Sequence, residues 1–121
     1  MELTRLSFTT RVLGALAAFR LEKEEVTQTV RSANEPLIKS YHGGLIECDD
    51  DFHIVLDRRM IGMATFHSIE GVRWPDLQNE DARRGGFDDI DELKKALLRA
   101  GFRFKPIGAY ELYRIHFQWI S

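Results

Sequence analysis

The 121-residue chain is short of several things, and each shortage excludes a class of protein. It has one cysteine, Cys48, so no internal disulfide can form, and a reducing compartment is the expectation. No apolar run approaches the roughly 18 residues needed to span a membrane. The opening MELTRLSFTTR carries Glu2 and no uninterrupted apolar core, so no secretory signal is expected and a cytoplasmic location is. There are three prolines and no Pro/Gly/Ser-rich linker, low-complexity tract or internal repeat, which points to one domain over residues 1–121. Net charge is also scarce, at −2. With 44% hydrophobic and 30% charged residues the chain can bury a core, which argues against disorder.

The small net charge conceals an asymmetry. Glu22 to Asp57 holds nine acids against Lys23, Arg31 and Lys39, a net of −6. Leu93 to Ser121 holds Lys94, Lys95, Arg99, Arg103, Lys105 and Arg114 against Glu111, a net of +5. The basic segment suits an anion or phosphate site, or the solvated face of a helix. The acidic segment leaves room for a basic protein partner.

Periodicity supplies the elements. Leu3, Leu6 and Phe8 predict a short strand, and Thr9 or Thr10 caps a helix with Val12, Leu13, Leu16 and Phe19 along one face. Glu25 to Arg31 alternates and is rich in β-branched residues, which predicts a strand. Residues 33–44, broken by Asn34, Pro36 and Gly43-Gly44, read as a loop with room for one helical turn. Strands are expected at Leu45–Cys48, His53–Leu56 and Ile61–Ile69, separated by the Asp49-Asp50-Asp51 and Asp57-Arg58-Arg59 turns. A helix should start at Pro75 and run to about Arg84. A second should open on Asp89 with Ile90, Leu93, Ala96 and Leu97 inward, and end at Gly101. Tyr110 to Ile120 alternates again. Antiparallel strands with helices set aside predict an α+β fold, a small barrel rather than a doubly wound sheet.

Three groups of residues could carry chemistry. Thr27, Thr29 and Arg31 project from one face of their strand, and two hydroxyls beside a guanidinium suit a phosphate or a nucleobase edge. An edge strand facing water would show the same pattern. His116, in a row with Arg114 and Gln118, could act as a base or stack on RNA, or be a structural histidine bonded to a neighbour. Arg103-Phe104-Lys105-Pro106 alternates cation and ring, as where phosphate contacts and stacking combine. The row Tyr113, Phe117 and Trp119 reads as core rather than a stacking platform. No metal or cofactor is expected: His42, His53, His67 and His116 have no ligand spacing, and the three consecutive aspartates lack the alternation of a calcium loop. Cys48 has no basic sequence neighbour to make it a nucleophile.

Taken in order, Thr29-Val30-Arg31, Gly43-Gly44-Leu45-Ile46, Glu80-Asp81-Ala82-Arg83-Arg84-Gly85-Gly86-Phe87, Glu92-Leu93 through Leu97, and Tyr113-Arg114-Ile115-His116-Phe117 resemble the ASCH domain, a member of the PUA-like superfamily. The resemblance spans nearly the whole chain. It implies a small β-barrel of five to six mostly antiparallel strands with two to four flanking helices, and a cleft that meets RNA or a nucleotide-like ligand. The Thr-x-Arg strand of such domains lines that cleft, so the resemblance favours Thr29 and Arg31, with Thr27, Arg103, Lys105 and His116 behind them. Related small ASCH proteins include an amidohydrolase of acetylated cytidine, and others are associated with ribonuclease activity. A hydrolase of a modified nucleoside or single-stranded RNA is therefore the alternative. Against it, Val26 stands where the amidohydrolase has a lysine and Gly85-Gly86 where it has a glutamate, while Gly43-Gly44 replaces the usual Gly-Asp.

Overall fold

A hairpin with an unusual turn sits at the centre of the sheet. In the computed structural model, which describes residues 4–103 and 112–120, strands β3 (Asp51–Leu56) and β4 (Arg59–Val72) are joined by Asp57 and Arg58. Both turn residues have positive φ, 51° and 69°, the left-handed pair that matches the twist of a tight hairpin. An aspartate tolerates this backbone, and here its carboxylate also accepts from the backbone N–H and the hydroxyl of Thr10. Those two donors hold the Asp57 carboxyl below the usual carboxylate range.

The remaining strands are β1 (Arg5–Phe8), β2 (Gln28–Ser32) and β5 (Leu112–Trp119). Their order is β1-β3-β4-β5-β2, with β1 parallel to β3 and every other pair antiparallel. The sheet curls into a half-barrel, so β1 and β2 are its two unpaired edges. Five α-helices flank it among the described residues: α1 (Thr10–Leu13), α2 (Ala15–Glu22), α3 (Pro36–His42), α4 (Asn79–Arg84) and α5 (Ile90–Arg99). The α+β class and the small barrel-like sheet match the expectation. No described helix is long and apolar enough to cross a membrane.

Two apolar clusters fill the fold. One, inside the curl, gathers Leu6, Leu21, Phe52, Ile54, Phe66, Ile115 and Phe117, with Phe52 and Phe66 stacked at 4.2 Å. The other lies under α4 and α5, around Val30, Leu77, Phe87, Leu93, Leu97 and Leu112. The closing strand supplies core as its alternation implied: Ile115 is fully buried, and Tyr113 and Trp119 pack against the first cluster.

Several boundaries differ from the sequence reading, each for a local reason. Gly14, at φ 86°, splits the first helix into α1 and α2. Residues 36–42 form the helix α3, opened by Pro36, rather than a loop with a single turn. Leu45–Cys48 is not a strand: Leu45 is exposed, and only Ile46 turns inward between the end of α3 and Asp49 at φ 76°. The helix expected from Pro75 is a 3-10 turn (Trp74–Asp76), and α4 begins only at Asn79, because Leu77 and Gln78 are extended. There the Asp81 carboxylate accepts from the Gln78 N–H at 2.9 Å and starts the helix.

Asp81 also ties α4 to the sheet. Its Oδ1 accepts from Gln28 Nε2 at 2.9 Å and from Arg114 Nε at 2.7 Å, and its Oδ2 accepts from Arg114 Nη2 at 3.0 Å. Burial opposes the charged form, yet hydrogen bonds from Arg114, Gln28 and the Gln78 N–H outweigh it and hold the carboxyl below its usual range. A depressed carboxyl contributes stability that is fully present above the unfolded-state pKa and is lost as pH falls through the folded one. Asp81→Ala should therefore cost about 3–5 kcal/mol at neutral pH, because it strands a buried amide and a guanidinium. Denaturant melts of the variant and wild type should converge as pH drops below about 4; an equal gap at pH 7 and pH 3 would contradict this role.

Candidate functional site

The site is built at the gap between the two sheet edges. On β2, Gln28 and Val30 turn toward α4 and α5, and Gln28 is fully buried. Thr29 and Arg31 therefore take the opposite face, where they pair with Ile115 and Tyr113 of β5. From there the Arg31 side chain crosses to β1: Nη2 donates to the Ser7 carbonyl at 2.7 Å. Its Nε donates to Thr29 Oγ1 at 3.0 Å, Nη1 lies 3.5 Å from Glu35 Oε2, and the guanidinium stands 4.5 Å over the Phe8 ring. No backbone ladder joins β1 to β2, so this side chain spans the seam.

Beside it lies a cleft of about 300 Å³. Its wall is mainly apolar, from Phe8, Val12, Leu13, Phe87, Leu97 and Phe102, and its polar members include Arg11, Thr29, Arg31, Glu35 and Asp81. Burial lowers the Arg31 pKa, and the neighbouring Glu35 offsets this only in part. Of the five guanidinium N–H groups, three are engaged by Thr29, Ser7 and Glu35. The Thr29 oxygen accepts from Arg31, and among the described residues its own O–H has no acceptor. The other cleft carboxylate, Asp81, is paired with Arg114.

The remaining candidates lie elsewhere. Thr27, whose N–H donates to the Arg84 carbonyl, lines a separate open depression with His67, Ser68, Glu70, Arg84 and His116. His116 Nε2 sits 3.2 Å from Glu70 Oε1. Thr27 and His116 are thus brought together, but apart from Thr29 and Arg31. Arg103 is exposed and donates to the carbonyl of the cleft residue Phe102 at 2.9 Å, while Lys105 falls outside the described residues. Cys48 is exposed. Among the described residues no three His, Cys, Asp or Glu side chains converge as metal ligands.

Sequence reasoning missed Glu35, Phe8 and Arg11 as members of the site. The four-residue spacing of Arg31 and Glu35 was a faint signal, but a strand-to-helix junction separates them, so helical pairing did not apply. Arg11 gave none.

No protein-family model matches the chain, and no curated protein is significantly similar to it. Two solved structures are. An ASCH domain from Lactobacillus crispatus JV V101 superposes with a TM-score of 0.58 at 15% identity, over 86% of this chain and 69% of that one. Protein EF3133 from Enterococcus faecalis V583, described under DUF984, superposes with a TM-score of 0.56 at 14% identity, over 84% and 67%. The fold is ASCH-like.

Within that ASCH-like fold, the two positions where the sequence departs from the amidohydrolase pattern lie side by side. Val26 is 1% exposed, and a Cβ placed on Gly86 would come within 2.9 Å of its Cγ2. Gly86 also has φ +90°, so a side chain there is both strained and blocked. Arg31→Ala should cost about 3 kcal/mol in denaturant unfolding, because it removes the link between the edges and leaves Glu35 without its cation. Thr29→Ser, which keeps the acceptor, should cost under about 1 kcal/mol. An Arg31→Ala protein as stable as wild type would show that the seam does not depend on this side chain.

Proposed function

We propose that this domain binds RNA or a nucleotide-like ligand in the cleft beside β2. The observation that carries the reading is one apolar slot, walled by aromatic rings, that is also lined by the Thr29 hydroxyl and the Arg31 guanidinium. Such a slot suits the flat apolar faces of a base, and the fixed fork of Arg31 with the Thr29 hydroxyl suits its hydrogen-bonding edge. The ASCH-like fold and the resemblance of the Thr29-Val30-Arg31 strand support the same site.

The hydrolytic alternative has less behind it. A hydrolase needs a group to activate the nucleophile and one to move protons. Glu35 and Asp81 are each committed to an arginine, and Lys23 lies over the Phe19 ring rather than along the cleft. Glu24 and Glu25 do not line the cleft either. Binding without turnover is the reading the geometry favours.

Titrating isotope-labelled protein with a short single-stranded RNA, and separately with cytidine, should shift the amides of Phe8, Thr29, Arg31 and Phe102. Thr29→Ala should weaken binding about fivefold, the equivalent of one hydrogen bond. RNA affinity should fall as salt rises. Absence of shifts with both ligands at millimolar concentration would remove this reading and turn attention to protein partners of the acidic 22–57 segment.

A further inference from the structure

The charges around the cleft are sorted by depth. Inside, each cation has its anion: Arg31 faces Glu35, and Asp81 is held by Arg114. At the mouth the balance is one-sided. Arg11 lines the cleft and is exposed. Arg99, at the end of α5, reaches α1 and donates Nε to the carbonyl of Val12, a lining residue, at 2.8 Å. Arg103 does the same for Phe102. Among the described residues no carboxylate pairs with any of the three. The Asp57 carboxylate accepts from the backbone N–H and hydroxyl of Thr10, the chain neighbour of Arg11, and does not line the cleft.

A slot that is neutral and apolar within and cationic at its lip fits a ligand with the reverse layout, a flat uncharged ring carrying an anion on a short arm. We infer that the cleft takes a single nucleotide, its base inside against Phe8 and Thr29 and its phosphate outside on Arg11, flanked by Arg99 and Arg103. Arg31, already neutralised by Glu35, reads the base edge and leaves the phosphate alone. The cleft volume of about 300 Å³ is at the small end for ligand pockets and holds one ring system rather than a stacked run of bases. This rests on the nucleotide-binding reading above and adds to it the polarity of the ligand and the residue that selects the phosphate.

The test is calorimetric titration with the four ribonucleosides and their 5′-monophosphates. At low salt, for at least one base, the monophosphate should bind about tenfold tighter than its nucleoside, and the gap should close at high salt because exposed charges are screened. Arg11→Ala should bring that gap within about twofold, whereas Arg83→Ala, which removes an exposed charge from α4 away from the cleft, should leave it. Among the described residues the Arg11 guanidinium has no hydrogen-bond or ion-pair partner, so the variant should fold, and Arg11→Gln provides a second reading of the same loss. Equal binding of nucleoside and monophosphate, or an equal effect of Arg83→Ala, overturns the phosphate site while base binding stands. Failure of every nucleoside and monophosphate to bind at millimolar concentration overturns both.

Discussion

One guanidinium governs the geometry of this molecule. A five-stranded sheet that curls without closing leaves two edges facing each other with unpaired backbone groups. Here the Arg31 side chain crosses the gap to the Ser7 carbonyl, with Phe8 beneath it and Glu35 beside it. A full ladder between β1 and β2 would have sealed the barrel and abolished the cleft. A gap with no link would have left the edges to splay. A single side chain holds the edges apart at a fixed distance and leaves space next to itself, so closure and cleft arise from the same contact.

The link also sets the chemistry of the cleft. A buried arginine without an anion would demand a charged ligand, because an unpaired charge in a desolvated site is costly. Glu35 removes that demand and turns Arg31 from a charge into a set of oriented donors. On the proposed reading, selectivity inside the slot is then a matter of shape and hydrogen bonds, while electrostatic attraction is left to Arg11 and the exposed residues near it. The second ion pair, Asp81 with Arg114, plays the corresponding role on the other face of β2 by pinning α4 and, through Gln28, fixing which residues of that strand turn outward.

Much of this was legible in the amino-acid order. The alternation through Val26, Thr27, Gln28, Thr29 and Val30 predicted β2 and placed Thr29 and Arg31 on one face, which the burial of Gln28 bears out. The spacing of Ile90, Leu93, Ala96 and Leu97 behind Asp89 predicted α5, and the Asp89 side chain does accept from the Glu92 N–H at 3.0 Å. The elements misjudged were those whose ends depend on a single backbone angle or capping bond: Gly14 dividing a helix, Asp49 ending a would-be strand, and Asp81 starting α4 four residues late.

The sequence by itself determined the class of fold, the inward face of α5 and the Thr-x-Arg strand, because these rest on local periodicity and propensity; it misjudged α2, where Ala17, Ala18 and Leu21 are buried and Leu16 and Phe19 are exposed. Tertiary structure alone decided that Thr27 and Thr29 line different surfaces, that Arg31 meets Ser7 and Glu35, and that Arg11 lines the same cleft as Arg31. Those facts follow from how the sheet curls and which edges come to face each other. Curl is a sum of small twists and bulges over all five strands, and no local stretch of sequence encodes it.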